Sequence, residues 1–250
     1  MKLTGNTIFI TGGGSGIGRG LAEALHRLGN KVIISGRRKA VLEEVTKANP
    51  GIDSVELDVE DPTSIAAVAQ GLIAKYPELN VLINNAGIMS QDQAEGIIDD
   101  EQLMSIVTTN LLGPIRMTSA LIDQIKSQPG ATIAYVTSGL AFTPLASTAF
   151  YSATKAGIHS YAMSQRYKLR DTGVRILEIV PPYVQTELNG AHQATDPAAM
   201  PLQQYIDETI QLLATDQDEI LVERVRPVRN NAGPNEHAFV NKMNDMRSGK

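Results

Sequence analysis

The amino-acid sequence predicts a single-domain α/β fold, a doubly wound parallel sheet with helices on both faces. Short, β-branched, continuously apolar runs alternate with longer segments of helical period along most of the chain. Those runs lack the polar alternation of a half-exposed sheet, as strands buried on both faces do. The 250 residues suffice for one large core and would crowd two, so residues 1–250 are assigned to one domain.

The first strand is read at Thr7–Thr11 and the first helix at Gly16–Leu28, where Leu21, Leu25 and Leu28 recur at helical spacing. Lys31–Ser35 is the second strand, Lys39–Ala48 the second helix and Ser54–Leu57 the third strand. Asp61 before Pro62 marks a helix start, a side-chain cap followed by a proline at the first helical position; that helix runs Pro62–Lys75. Val81–Asn84 is the fourth strand, Asp100–Lys126 a long helix and Thr132–Thr137 the fifth strand. Helix Ser152–Arg170 and strand Arg175–Val180 follow. Right-handed crossovers distribute the helices over both faces. A polar stretch with Ala, Asn, Gln, Thr and Pro is read as a substrate lid over residues 187–205, and residues 233–250 as a polar tail.

Composition excludes several classes of function. A net charge of -5 offers no basic face for nucleic acid. Cysteine is absent, which removes disulfides and thiolate metal sites. No run approaches the ~20 apolar residues of a membrane helix, and the apolar stretch Thr7–Ile10 is too short for a signal core. The expectation is a cytoplasmic protein with no membrane partner. His26, His159, His192 and His237 fall at no ligand spacing, so no metal is expected. His192 lies in the lid, where solvent exposure is the simplest reading.

Thr11-Gly12-Gly13-Gly14-Ser15-Gly16-Ile17-Gly18 links the first strand to the first helix. Glycines there permit positive φ, let the backbone approach a pyrophosphate, and aim helix N–H groups at it. The GxGxxG fingerprint fits no register; the spacing is GxxxGxG on Gly12, Gly16 and Gly18. A P-loop fails because Arg19 and Gly20 stand where Lys and Ser/Thr are required. The hydrolase elbow GxSxG fails because Ile17 follows Gly16. Taken alone, the turn also reads as nothing more than a tight connection.

The end of the second strand bears on the cofactor. An acidic residue there binds a ribose 2′-hydroxyl, whereas a basic group accommodates a 2′-phosphate. Here the acidic position is Gly36, followed by Arg37 and Arg38, whose guanidinium groups suit phosphate oxygens. NADP(H) is favoured and NAD(H) stays open, as does a plain solvated pair of arginines.

Tyr151 and Lys155 stand four apart on a helix, on one face. A free phenol has a pKa near 10, and a neighbouring ammonium is expected to lower it. Such a tyrosine gives a proton to a carbonyl oxygen or takes one from an alcohol. Ser138 falls just beyond the fifth strand, at the carboxyl end where open α/β sheets place their sites. As an isolated match, Tyr-x-x-x-Lys is more often an incidental surface pair.

Together these residues resemble the short-chain dehydrogenase/reductase family over roughly Thr7 to Thr186. The glycine turn is similar to its cofactor turn, Asp58-Val59 to its adenine-contacting pair and Asn84-Asn85-Ala86-Gly87 to its motif after the fourth strand. Asn110, Ser138, Tyr151 and Lys155 resemble its catalytic tetrad. The resemblance implies a Rossmann-type fold with Tyr151 as general acid/base and Ser138 polarising the carbonyl. Lys155 would bind the nicotinamide ribose, and Asn110 would hold a water linking Lys155 to solvent. Gly12, Gly14, Ser15, Gly16, Ile17 and Gly18 would cradle the pyrophosphate. Asn85, Ala86 and Gly87 would line the cofactor, with Ile88 against it. Pro181, Val184 and Thr186 would meet the nicotinamide end, Thr186 at its carboxamide.

Two departures stand out. Where the family has Pro-Gly after the sixth strand, this chain has Pro181-Pro182. With the Ser-Gly-Arg-Arg segment, that turn resembles a bacterial branch likened to the oxidoreductase of D-alanine–teichoic acid operons. The family's final strand is not evident; Glu219–Val222 is a short candidate. By analogy, the helices Asp100–Lys126 and Ser152–Arg170 would form the interface of a homodimer or homotetramer.

The substrate pocket is expected to draw on Ser138, Leu140, Phe142, Tyr151, Tyr183 and Leu188, with Met89-Ser90 beside them. An apolar lining without Lys or Arg suits a small-molecule ketone, aldehyde or secondary alcohol. Leu140, Phe142 and Leu188 fit core packing equally well. The function implied is hydride transfer between nicotinamide and a carbonyl or alcohol carbon. The alternative is a non-catalytic NADP(H)-sensing protein on the same fold. A related enzyme of dehydration or epimerisation is disfavoured by the short chain left after Thr186.

Overall fold

Strand–helix alternation runs through the whole chain in the computed structural model, which describes residues 1–234 and 236–248. The chain begins with β1 (Thr7–Thr11), α1 (Gly16–Arg27), β2 (Lys31–Gly36), α2 (Lys39–Ala48), β3 (Asp53–Glu56) and α3 (Pro62–Lys75). It continues with β4 (Leu79–Asn84), α4 (Asp100–Val107), α5 (Gly113–Lys126), β5 (Thr132–Val136), α6 (Ala149–Leu169) and β6 (Arg175–Val180). Then come α7 (Leu202–Leu213), β7 (Glu219–Leu221), α8 (Arg226–Asn230) and α9 (Glu236–Ser248).

The strands form one parallel sheet in the order β3-β2-β1-β4-β5-β6-β7. Alternate strand residues feed two cores. Ile8, Ile10 and Ile34 pack with Leu21 and Leu25 of α1, Leu42 of α2 and Ile206 of α7. Phe9, Ile33 and Leu82 pack on the other face with Leu72 of α3, Leu121 of α5 and Ile158 of α6. The chain steps from β3 across β2 and β1 to β4, so the loops leaving β1 and β4 part at their carboxyl ends and open a crevice. Asp61 caps α3 as its spacing predicts, accepting the Thr63 N–H at 2.8 Å. Among the described residues, no helix is long and apolar enough to cross a membrane.

Several expected boundaries change. The long helix expected at Asp100–Lys126 is broken by a π-helical turn at Thr108–Leu112. Pro114 has no N–H for the carbonyl four residues back, that of Asn110, and a side chain at Gly113 would stand 3.1 Å from Val59 O. Helix α6 starts at Ala149 rather than Ser152, which places Tyr151 in its first turn. A final strand does exist: β7 pairs in parallel with β6 over Glu219–Leu221. The polar tail is largely helical. In α9, Asn244 accepts from Ala146 N and donates to Pro144 O, and Arg247 lies over the Tyr183 ring at 4.7 Å. The expected lid is narrower than residues 187–205. Its neck is a bridge between Val184 and Met200, and Leu202–Tyr205 are already α7, with Tyr205 fully buried.

Candidate active site

A cleft of about 910 Å³ opens at the carboxyl ends of the strands. Its floor is made where the β1 and β4 loops lock together. Thr11 Oγ1 accepts from the N–H groups of Asn85 and Ala86, both at 3.0 Å, and Asn85 Nδ2 donates to Thr11 O and Gly12 O. Gly12 has φ +67°, and a Cβ there would lie 2.8 Å from Ala86 Cα. A Cβ at Gly18 would meet both Asn85 Nδ2 and Gly12 O at 2.3 Å, so this close approach requires glycine. Gly14, Ser15, Gly16 and Ile17 line the cleft above. Ser15 caps α1 without a side-chain hydrogen bond, and the first turn carries no acidic residue. The helix thus turns side-chain-free N–H groups and a positive dipole end to the cleft, a cradle that fits a pyrophosphate.

At one end lie Gly36, Arg37, Arg38, Asp58 and Val59. Arg37 is largely exposed, with Nη1 3.5 Å from Glu60 Oε1. Asp58 Oδ1 accepts the Glu60 N–H at 2.9 Å, turning the segment after β3 along the cleft wall. Glu60 also accepts from Thr109 Oγ1 at 2.7 Å. Glu60 and Thr109 both line the cleft, and nothing in the sequence pattern singles them out.

At the other end, Tyr151 and Lys155 are buried one turn apart on α6. Lys155 Nζ donates to Val136 O at 2.8 Å and stands 5.4 Å from the Tyr151 ring centre. Burial pulls Lys155 down to about 8. Burial also pushes Tyr151 up to about 12, with the Ser138 hydroxyl working the other way. The expectation that Lys155 lowers the phenol's pKa is therefore corrected: withdrawal from water dominates, and the lysine's short contact goes to a carbonyl. Ser138 Oγ accepts the Leu140 N–H at 3.1 Å, which leaves its proton for an acceptor on the cleft side, where Tyr151 stands.

Asn110 sits in the π-helical turn, just behind this end. Its Oδ1 accepts the Ile88 N–H at 2.9 Å, and its Nδ2 donates to Ile88 O at 2.8 Å and Thr154 Oγ1 at 3.3 Å. The side chain is a clamp on the loop after β4. Gly87, Ile88 and Met89 line the cleft, as do Pro181, Val184, Thr186 and Leu188.

Three expected pocket residues lie elsewhere. Phe142 packs edge-on to His159 at 4.7 Å and under the Arg229 guanidinium at 4.5 Å, toward α6 and α8. Tyr183 donates to Asp196 Oδ2 at 3.0 Å beneath Arg247. Leu140 is in the 3-10 turn Gly139–Ala141 beside the cleft rather than on its wall. Gln193 and Leu202 line the cleft instead. Neither has a sequence signal, because Gln193 depends on how the segment after Thr186 folds and Leu202 on where α7 begins. His159, Glu178 and Glu219 bring ligand-type atoms within 4.8 Å of one another. There Glu178 is shared by His159 at 2.7 Å and Arg166 at 3.4 Å, and Glu219 pairs with Arg229 at 2.7 Å.

This arrangement has counterparts. The family model described as short chain dehydrogenase matches residues 6–197. The chain is 38% identical over 237 residues to the uncharacterized oxidoreductase DltE of Bacillus subtilis, covering 92% of each. It is 30% identical to an NADP-dependent 3-hydroxy acid dehydrogenase of Schizosaccharomyces pombe, over 75% of each chain. A short chain dehydrogenase from Burkholderia cenocepacia, solved in complex with NADP, superposes with a TM-score of 0.84 at 26% identity, covering 97% of this chain and 99% of that one. The sheet order, the glycine cradle and the matched span agree, and the chain belongs to the short chain dehydrogenase family of oxidoreductases.

Proposed function

We propose that this protein is an NADP(H)-dependent oxidoreductase that interconverts a ketone or aldehyde and an alcohol, with Tyr151 as general acid/base. The observation that carries the reading is the buried Tyr151–Lys155 pair beside Ser138, at the opposite end of one cleft from Arg37 and Arg38. A bound nicotinamide dinucleotide supplies or removes the hydride. On reduction, Tyr151 Oη gives its proton to the substrate oxygen while Ser138 Oγ–H hydrogen-bonds the same atom; on oxidation, Tyr151 takes the proton back. A phenol held protonated by burial suits the donor role at neutral pH. Because the Asn110 side chain is occupied by Ile88 and Thr154, a water serving Lys155 would bind the Asn110 carbonyl, to which Pro114, four residues on, offers no N–H.

The arginines support NADP(H) over NAD(H), in line with the cofactor named for the yeast and Burkholderia relatives. Met89, Val184, Leu188 and Leu202 make the nearby wall apolar, which favours a small to medium uncharged carbonyl compound. The test is a panel of ketones and aldehydes offered with NADPH and, separately, NADH, following absorbance of the reduced nicotinamide. NADPH-linked turnover is expected. Tight NADPH binding with no turnover across the panel would replace the enzyme with a cofactor sensor, and a clear preference for NADH would overturn the role given to Arg37 and Arg38.

A further inference from the structure

The lid segment is organised around one buried side chain. Gln193 is only 4% exposed and projects from the 3-10 turn Ala191–Thr195. Its Nε2 donates to Val184 O at 2.7 Å and to Thr186 Oγ1 at 3.1 Å, and its Oε1 accepts the Asn189 N–H at 2.9 Å. A backbone carbonyl only accepts and a backbone N–H only donates, so these two partners fix which end of the amide is nitrogen. The polarity of the third contact follows: Gln193 donates and Thr186 accepts.

Thr186 Oγ1 accepts a second hydrogen bond from the Leu188 N–H at 3.3 Å. A hydroxyl oxygen has two acceptor sites and one proton. With both sites filled by Gln193 and Leu188, the hydroxyl proton is left for another partner, and Thr186 lines the cleft with its methyl beside Gly16.

We infer that Gln193 is a positioning residue that sets the Thr186 hydroxyl as a hydrogen-bond donor into the cleft, for an acceptor such as the carboxamide oxygen of the nicotinamide. This rests on the cofactor reading above. Acting through that hydroxyl, Gln193 ties the fold of the segment after Thr186 to the hydrogen-bond polarity of the nicotinamide end.

A double-mutant cycle read by NADPH fluorescence tests it, using the wild type, Gln193→Glu, Thr186→Val and the pair. A carboxylate at position 193 still accepts from Asn189 but has no proton for Thr186, so the hydroxyl turns to donate to it and the cleft loses its donor. Each single variant should bind NADPH about tenfold more weakly, the worth of one neutral hydrogen bond, with no further loss in the pair. The fragment 2′-phospho-ADP-ribose, which lacks the nicotinamide, should bind all four proteins alike. Additive losses in the pair, equal losses for NADPH and the fragment, or unchanged NADPH binding in Gln193→Glu would overturn the inference. Should melting curves show Gln193→Glu unfolded, Gln193→Met takes its place. It should weaken NADPH about threefold and leave the fragment alone, and equal or absent losses would again be decisive against it. A wild type that binds neither NADPH nor the fragment would overturn the underlying cofactor reading, and this assignment with it.

Discussion

Burial moves the two ionisable groups at the Tyr151 end of the cleft in opposite directions, Tyr151 up to about 12 and Lys155 down to about 8. For Lys155 the folded value lies below its ordinary 10.5. Below pH 8 both folded and unfolded chains hold the proton and the full burial penalty applies. Between pH 8 and 10.5 the unfolded chain binds more protons, so stability rises with pH across that window. Relative to Lys155→Met, the wild type should gain on the order of 3 kcal/mol through it. Urea unfolding of both proteins on either side of the window measures this, and a constant difference would contradict it. The variant comparison also cancels Tyr151, whose titration works in the opposite direction above pH 10. At this scale, legibility followed local geometry. Tyr151 and Lys155 were readable because i,i+4 spacing puts them on one helix face. Phe142 and Tyr183 were misplaced because their partners, Arg229 and Arg247, come from α8 and α9, far along the chain. Gln193 was unreadable, since its contacts exist only where the chain between Val184 and Met200 folds back on itself.

Helix α6 carries Tyr151 and is fastened to the sheet at three points along its length. Lys155 donates to Val136 O, His159 pairs with Glu178, and Arg166 Nε donates to Ile176 O at 3.1 Å. Glu178 is fully buried in β6, and its carboxylate meets His159 and Arg166. Glu178→Ala leaves the half-buried His159 without this carboxylate and Arg166 with Asp218 alone, and should destabilise the protein by about 3 kcal/mol. Denaturant unfolding checks this; a loss under about 1 kcal/mol would mean that apolar packing alone fixes α6. The strands were legible because both faces are buried and their apolar runs are unbroken. The break between α4 and α5 was not, because the hydrophobic period continues through Thr108–Leu112 and only the Gly113-Pro114 pair hints at it. Strand β7, three residues long, offers too few positions for any period to show.

Across the whole molecule, the switch in strand order at β1 and β4 explains why residues from Gly12 to Leu202 meet in one cleft. That topology was legible as a repeated strand–helix alternation, whereas the helical tail α9, polar and without a fully buried residue, was not. A ligand spanning the cleft would contact the segments after β1, β2, β3, β4, β5 and β6, and so brace the fold as a unit. Saturating NADPH, at about a hundred times its Kd, should add about 2.7 kcal/mol and raise the melting temperature by about 5–10 °C. An unchanged melting curve would argue against binding to the native state. The most direct test of the central claim is Tyr151→Phe, assayed with NADPH and the best carbonyl substrate of the panel. The variant keeps the ring that packs beside Lys155 and loses only the hydroxyl. It should bind NADPH within about twofold of the wild type while kcat falls by a factor of 10² or more, in the range of general acid catalysis. Turnover that survives the loss of the hydroxyl would contradict the assignment of Tyr151 as the proton donor.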